Sequence, residues 1–211
     1  MIITYYGLEC FKIQYSDLVV AVNPIAKESK HKAPRFGADV ALIGALHPDY
    51  NGVEQVTSGG KEPFVITGPG EYETMGISVN GFPAENTAPE RVTRFTTLYS
   101  MKLENMQLVF LSGLSTKTLS GDTAENFGSI DMLFIPIGGG DVLGAAEAYS
   151  LAVSLEPRLI IPMHWRDEAT LQAFLKEGGV DGVKPVDKFT VKQKDLAGKQ
   201  GEIIVLRSSV S

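Results

Sequence analysis

Short apolar runs separated by turn residues make up the first half of the chain. Runs rich in β-branched and aromatic residues lie at 2–6, 11–15 and 18–22, and the third ends at Asn23-Pro24. The polar, basic stretch 26–37 predicts an exposed loop, in which His31 is expected to be solvated. Further strands are predicted by the apolar runs at 38–46, 63–67, 76–82, 94–103 and 107–112. Hairpins are therefore expected to open the fold.

The second half alternates strands with helices. A strand at 130–137 leads into three glycines and Asp141, and good helix formers follow at 144–155. The apolar run 158–163 ends at His164, and a helix is predicted over 167–177, where Asp167 is the expected N-cap. Two strand-like runs, 188–193 and 202–207, form the tail. The pattern as a whole predicts mixed sheets with helices outside, in a single domain covering 1–211.

Composition narrows the function classes. The net charge of −6 and a pI near 5.1 disfavour a nucleic-acid binder and a polybasic membrane-surface protein. No uncharged apolar stretch reaches the length of a membrane span, and the N-terminus lacks the pattern of a signal peptide. A single cysteine, Cys10, excludes an internal disulfide framework and multi-cysteine metal sites. We therefore expect a cytoplasmic protein that has no membrane or nucleic-acid partner, while a homo-oligomer and a small-molecule ligand stay open.

Three polar clusters follow apolar strands: His47 to Tyr50, Gly138 to Asp141, and His164-Trp165. Strand ends at a common sheet edge are where α/β folds place their sites, so these clusters are considered together. His47 and Asp49 are spaced i, i+2, which puts both side chains on one side of an extended backbone. They could ligate a metal, Asp49 could orient the imidazole, or the segment could be a plain turn. His164 is either a ligand or a satisfied core histidine.

The other polar features favour structural roles. The glycines at 138–140 could cradle an anion, but a tight strand-to-helix connection is the favoured interpretation. Glu71 and Glu73 share one face of a strand after a glycine-proline turn. The hydroxyls at 115–118 have no histidine neighbour in sequence, and Cys10 is interpreted as a small apolar residue.

Several segments, in the right order, resemble the metallo-β-lactamase superfamily, and most closely its branch of small bacterial metal-dependent hydrolases of the ascorbate-6-phosphate lactonase type. The matching segments are Ile3 to Phe11, Val22-Asn23-Pro24, Ala41 to Gly52, Gly68 to Glu73, Ile135 to Gly139 and Ile161 to Trp165. The resemblance implies a four-layer αββα sandwich of metallo-β-lactamase type. It also implies a metal site built around His47, Asp49 and His164.

The sequence departs from the superfamily's metal-ligand pattern at several positions. Histidines of the resembling pattern correspond to Leu8, Ala45, Tyr50 and Gly140, and its aspartates to Asn23 and Leu114. Alanine and leucine have no donor atoms, and tyrosine is an uncommon zinc ligand. The standard dinuclear site is therefore not expected.

Two hypotheses about function follow. In the first, the chain is a degenerate, non-catalytic member of the superfamily that binds no metal and acts as a binding or structural protein. In the second, it is a metal-dependent hydrolase of an ester, lactone or phosphoester with a reduced site. One zinc or manganese ion would then be held by His47, Asp49 and His164, and Asp49 would serve as a ligand or as the catalytic general base. Asp141 is the nearest carboxylate that could replace a lost ligand.

Overall fold

The apolar runs and turn signals build two β-sheets. The computed structural model describes residues 1–86, 93–180 and 182–210. In chain order the strands are β1 (Ile2–Tyr5), β2 (Phe11–Tyr15), β3 (Leu18–Val22), β4 (Val40–Leu42), β5 (Phe64–Ile66), β6 (Gly70–Thr74), β7 (Ile77–Glu85), β8 (Phe95–Leu103), β9 (Met106–Phe110), β10 (Met132–Pro136), β11 (Leu159–Met163), β12 (Phe189–Thr190) and β13 (Glu202–Ile203). The helices are α1 (Val53–Val56), α2 (Thr123–Asn126), α3 (Ala145–Ser154) and α4 (Glu168–Glu177), and a 3₁₀ turn spans Gln193–Leu196.

Strand pairing changes from one sheet to the other between β5 and β6, and β12 returns to the first sheet. The first sheet has the order β12-β1-β2-β3-β4-β5 and the second β13-β11-β10-β9-β8-β7-β6. The hairpins β1-β2-β3 and β6-β7-β8-β9 are antiparallel, whereas β9, β10, β11 and β13 are parallel. The expectation of hairpins first and βαβ units later is confirmed for the opening hairpins and for the second half, where α3 connects the parallel strands β10 and β11. It missed that β3, β4 and β5 are already parallel in the first half.

Helices and loops cover the outer faces of the two packed sheets. A cluster of buried apolar side chains, among them Phe11 and Phe134, fills the space between the sheets. Leu151 of α3 and Phe174 of α4 belong to a second buried cluster on the outside of the seven-stranded sheet. Outside the six-stranded sheet, Val56 of α1 packs with Phe36 of the preceding loop. This layering confirms the predicted αββα sandwich. None of the described helices is long and apolar enough to cross a membrane.

Three predicted strands are shorter than their apolar runs. The run 38–46 contributes only Val40–Leu42, because the chain then leaves the sheet and the Gly44 carbonyl accepts hydrogen bonds from Thr97 N (2.7 Å) and Thr96 Oγ1 (2.8 Å). The tail runs 188–193 and 202–207 reduce to pairs, Phe189–Thr190 and Glu202–Ile203. The one-turn helices α1 and α2 carry no predictive pattern at their length, since so short a segment shows no helical period.

A partly buried ion pair fixes the entrance to β4 and gives a pH prediction. Asp39 accepts from Lys61 Nζ and from Val19 N (2.8 Å). Burial alone would raise the pKa of Asp39, but the lysine and the backbone N–H outweigh it and the pKa is lowered. The pair therefore contributes stability above the carboxyl group's unfolded pKa, about 3.9, that is lost as pH falls through the folded value. In urea titrations, we expect Asp39→Asn to lose less stability than the parent between about pH 5 and pH 3. Equal losses in both proteins would contradict this.

Candidate functional site

Five chain segments that follow strands meet at one edge of the sandwich. Glu9 follows β1, Asn23 follows β3, the segment His47 to Tyr50 follows β4, Ser112 and Gly113 follow β9, and His164 follows β11. Hydrogen bonds connect all five segments, as described below. Two of the three predicted polar clusters, those of His47 and His164, are therefore joined at this edge, and Glu9 and Ser112 are added to them.

The Glu9 carboxylate lies at the centre of this cluster. Its side chain has no exposed surface. Oε1 accepts from His164 Nδ1 (2.9 Å), Gly113 N (3.0 Å) and Tyr50 Oη (3.3 Å), and Oε2 accepts from Gly113 N (2.8 Å) and Asn23 Nδ2 (3.4 Å). Four protein groups thus supply donors to one buried carboxylate, as burial of an acidic group requires.

His164 is held by its backbone and by its ring. Its N–H donates to the Leu8 carbonyl (2.6 Å), and its Nδ1 lies 3.3 Å from the Tyr50 hydroxyl as well as 2.9 Å from Glu9. A Cβ added at Gly138 would lie 2.2 Å from the His164 carbonyl oxygen, so this glycine is required by close approach of the two backbones. With Nδ1 donating to Glu9, Nε2 is the remaining ring nitrogen. The side chain is 11% exposed, so solvent reaches part of it.

Asn23 connects the two sheets beneath Glu9. Its Nδ2 donates to Ser112 Oγ (2.8 Å) and its Oδ1 accepts from Gly44 N (2.7 Å). Asn23, His164 and Leu8 all have φ between 45° and 55°, in the left-handed region that non-glycine residues rarely adopt. Such backbone strain concentrates at functional sites, and here three strained residues surround one carboxylate.

The predicted metal ligands fall into two groups of contacts. His47 and Asp49 lie together, with Nδ1 and Oδ2 3.6 Å apart, and are 29% and 24% exposed. Asp49 Oδ1 accepts from Ser29 Oγ. The Tyr50 ring contacts the rings of both His47 and His164, at centroid distances of 6.3 Å and 6.4 Å. The structure thus brings His47 to Asp49 and joins His164 to Glu9 and Tyr50.

The three predicted ligands do not form one group in this arrangement. Within residues 1–86, 93–180 and 182–210, no three His, Cys, Asp or Glu side chains are grouped so that they could hold one. Ala45 and Leu114 are both buried and contribute only apolar surface. The Asp141 carboxylate lies 4.0 Å from the Arg166 guanidinium. Metal binding by His47, Asp49 and His164 stays a prediction for experiment.

Two neighbouring groups are held in their protonated forms. Burial raises the pKa of the Tyr5 hydroxyl, which donates to the Leu8 carbonyl (2.9 Å) and accepts from His164 N (3.3 Å). Burial also raises the pKa of Cys10 to about 12. A thiol with so high a pKa carries almost no thiolate at neutral pH, in agreement with its interpretation as a small apolar residue.

Comparison with known proteins identifies the family. The sequence pattern that defines the family described as "Beta-lactamase superfamily domain" matches residues 2–164. The chain belongs to this superfamily. All the site segments described above, from Glu9 to His164, lie within the matched range.

Relatives and structural neighbours agree with this assignment. A UPF0173 metal-dependent hydrolase of Pelotomaculum thermopropionicum is 25% identical over 78% of this chain and 84% of its own length. A UPF0173 metal-dependent hydrolase of Pyrococcus horikoshii is 30% identical over 84 residues, which are 40% of this chain but only 31% of the relative. A candidate Zn-dependent hydrolase of the metallo-beta-lactamase superfamily from Thermotoga maritima has the same fold, with a TM-score of 0.77, 24% identity and 97% coverage of both chains.

Glu9 is the residue that sequence reasoning missed at this superfamily site. The resemblance drew attention to Leu8, one position earlier, and assigned no role to Glu9. A signal was present, since Glu9 is the only charged residue between β1 and the buried start of β2. Tyr50 and Asn23 were not expected to contact a carboxylate, whereas both are partners of Glu9.

Proposed function

We propose that this chain is a metal-independent, ligand-binding member of the superfamily. The observation that carries the proposal is the Glu9 carboxylate, which is fully buried at the centre of the site and accepts from protein donors on both oxygens. A cation that used this carboxylate would have to displace those donors. Each of them would then lose a partner inside the protein, which is costly where water cannot replace it.

The residues around Glu9 support the same proposal. Ala45 and Leu114 place buried apolar groups where the superfamily resemblance leads one to expect ligands. The Asn23 amide bonds to Ser112 and to the Gly44 N–H, so both of its polar atoms are already used. A hydrogen-bond network in which every polar group has a partner can hold the side chains of a site in place without a metal ion.

A second candidate is a hydrolase with one zinc or manganese ion. It is favoured by the Glu9–His164 contact, since carboxylates that accept from one imidazole nitrogen commonly orient the other toward a metal. Relatives named metal-dependent hydrolases add to this candidate. It would need His47 and Asp49 to move toward His164, because the three side chains do not form a group that could hold a metal ion in this arrangement.

Metal content separates the two candidates. We expect protein purified without added metal or chelator to hold substoichiometric zinc and manganese by plasma mass spectrometry. We also expect its melting temperature to be the same in EDTA as in either metal, since a ligand that binds only the folded state raises that temperature. One equivalent of metal per chain, lost in His164→Ala and retained in His31→Ala, would contradict the proposal and favour the hydrolase. His31 is a matched control because it is an exposed histidine of the loop 26–37.

A further inference from the structure

A positively charged loop lies beside the site in an otherwise acidic chain. Residues 27–35 contain Lys27, Lys30, Lys32 and Arg35, all exposed, with Glu28 as the single acidic residue. The segment therefore carries a net charge of +3 while the whole chain carries −6. Elsewhere Lys61, Arg94 and Arg207 form ion pairs, but within the described ranges Lys27, Lys30 and Arg35 form none. Unpaired cations that stand together favour binding of an anion.

Hydrogen bonds fix this loop to the segment that carries His47 and Asp49. Ala26 N donates to the Pro48 carbonyl (2.7 Å), and Gly52 N donates to the Pro24 carbonyl (2.7 Å). Ser29 Oγ donates to Asp49. At the other end of the loop, the Phe36 ring stacks on Tyr6 at 5.3 Å. The loop is thus anchored at its base and its end, and its cations stand at the rim of the site.

Carboxylates at the base of the loop do not cancel its charge. Asp49 accepts from Ser29, and Glu54 accepts from Lys27 N (3.1 Å) and Gln55 Nε2 (3.3 Å). Even counted together with Glu28, these two leave an excess of positive charge against the four cations. The patch is small, and the remainder of the chain is strongly acidic. A compact anion therefore suits it better than an extended polyanion, which the rest of the surface would repel.

Two large apolar side chains lie exposed at the other side of the same segment. Leu46, immediately before His47, is 72% exposed, and Phe95 at the start of β8 is 61% exposed. Their segments are close, because the Gly44 carbonyl, two residues before Leu46, accepts from Thr96 Oγ1 and Thr97 N, which directly follow Phe95. The segment that carries His47 and Asp49 thus has the cationic loop hydrogen-bonded to it and two exposed apolar residues at the end where it leaves β4.

We infer that the site binds a small amphipathic anion, a carboxylate or phosphate group joined to a short apolar chain. The anionic group would lie against Lys27 and Lys30, and the apolar chain against Leu46 and Phe95. The inference rests on the proposed ligand-binding function, and it adds the chemical class of the ligand. The charge of the lysines would orient the anionic group of the ligand. Burial of its apolar chain would add affinity that salt does not screen.

Octanoate is the probe that tests this class. Trp165 is the only tryptophan and follows His164 directly, so its fluorescence reports on the site, and isothermal titration calorimetry gives the affinity. We expect octanoate to bind measurably more tightly than acetate, which lacks the chain, and than octanol, which lacks the charge. Octyl phosphate, which has the same chain, tests whether the site binds a phosphate group as well as a carboxylate. Octanol binding as tightly as octanoate, or octanoate and octyl phosphate both failing to bind, would overturn the inference.

Paired variants locate the binding to the rim. Lys27→Glu with Lys30→Glu is expected to weaken octanoate binding roughly tenfold, and Leu46→Ser with Phe95→Ser to a similar degree. The matched controls Lys188→Glu and Met75→Ser, an exposed lysine and an exposed apolar residue of other elements, should bind as the parent does. Equal loss in test and control pairs would overturn the inference. So would a change from dimer to monomer in the Leu46 and Phe95 variant, since the patch would then join two copies.

The metal measurement keeps the two proposals apart. Stoichiometric metal that depends on His164 counts against the proposed function itself. A metal-free protein that binds neither octanoate nor octyl phosphate is consistent with the proposed function and contradicts only the inferred ligand class.

Discussion

Replacing Glu9 with alanine is expected to lower the free energy of unfolding by about 3–5 kcal/mol, the range seen when one partner of a buried charged pair is removed. The side chain has no exposed surface, and its oxygens accept from His164, Gly113, Tyr50 and Asn23. Without the carboxylate the Gly113 N–H loses the acceptor it bonds to and the other donors lose one of their partners, and a buried donor left without an acceptor costs about 1–3 kcal/mol. Denaturant unfolding followed by far-ultraviolet circular dichroism measures the loss.

Two control variants test whether the loss comes from the donors and not from an empty space. Glu9→Gln keeps the shape but turns an NH₂ group toward donors, so it should also destabilise the protein, though less than alanine. Glu73→Ala removes a glutamate from the exposed face of β6 and should leave stability nearly unchanged. If Glu9→Ala were as stable as the parent, the carboxylate would not organise the site and the proposed function would lose its support.

The parts of the fold that were predicted correctly depend on contacts between residues close in sequence. The hairpins β1-β2 and β2-β3 require only two apolar runs and a short turn, and α4 requires only its period and the Asp167 cap, which accepts from Thr170 N at 2.8 Å. The predicted lengths of the two C-terminal strands were wrong. Because β12 pairs with β1 and β13 with β11, distant partners determine how many residues join each sheet. Apolar composition at 188–193 and 202–207 does not contain that information.

Contacts within the candidate site likewise divide into those between residues close in sequence, which were predicted, and those between distant residues, which were not. The contact between His47 and Asp49 follows from a spacing of two residues, and the sequence predicts it. Glu9 and His164 are 155 positions apart, and only the packing of the two sheets brings them together. The resemblance singled out positions 8 and 50 only because each lacks the histidine of the family pattern. It could not indicate that the carboxylate at position 9 would supply the centre of a hydrogen-bond network.

The two sheets are joined beneath the site by aromatic rings, and Phe134 is the ring with the largest expected effect on stability. It stacks on Phe110 of the neighbouring strand at 4.4 Å and meets Phe11 of the opposite sheet edge-on at 4.9 Å. Phe134→Ala is expected to cost about 3–5 kcal/mol, because it removes a fully buried ring and leaves a cavity between two rigid sheets. Phe134→Leu should cost less, since it retains much of the volume.

The same variant should loosen the site, because the ring cluster extends to it. Phe11 stacks on Tyr5 at 4.8 Å, and the Tyr5 hydroxyl holds the Leu8 carbonyl next to Glu9. Tyr5 also contacts the Trp165 ring at 5.1 Å, so a shift of Phe11 should change the tryptophan fluorescence of the folded protein. The exposed Phe95→Ala is the matched control and should change neither stability nor the spectrum of the ligand-free protein. A destabilised Phe134→Ala with an unaltered Trp165 spectrum would show that the core and the site are held independently. The positions of Glu9 and His164 would then depend on their own hydrogen bonds and not on the aromatic cluster beneath them.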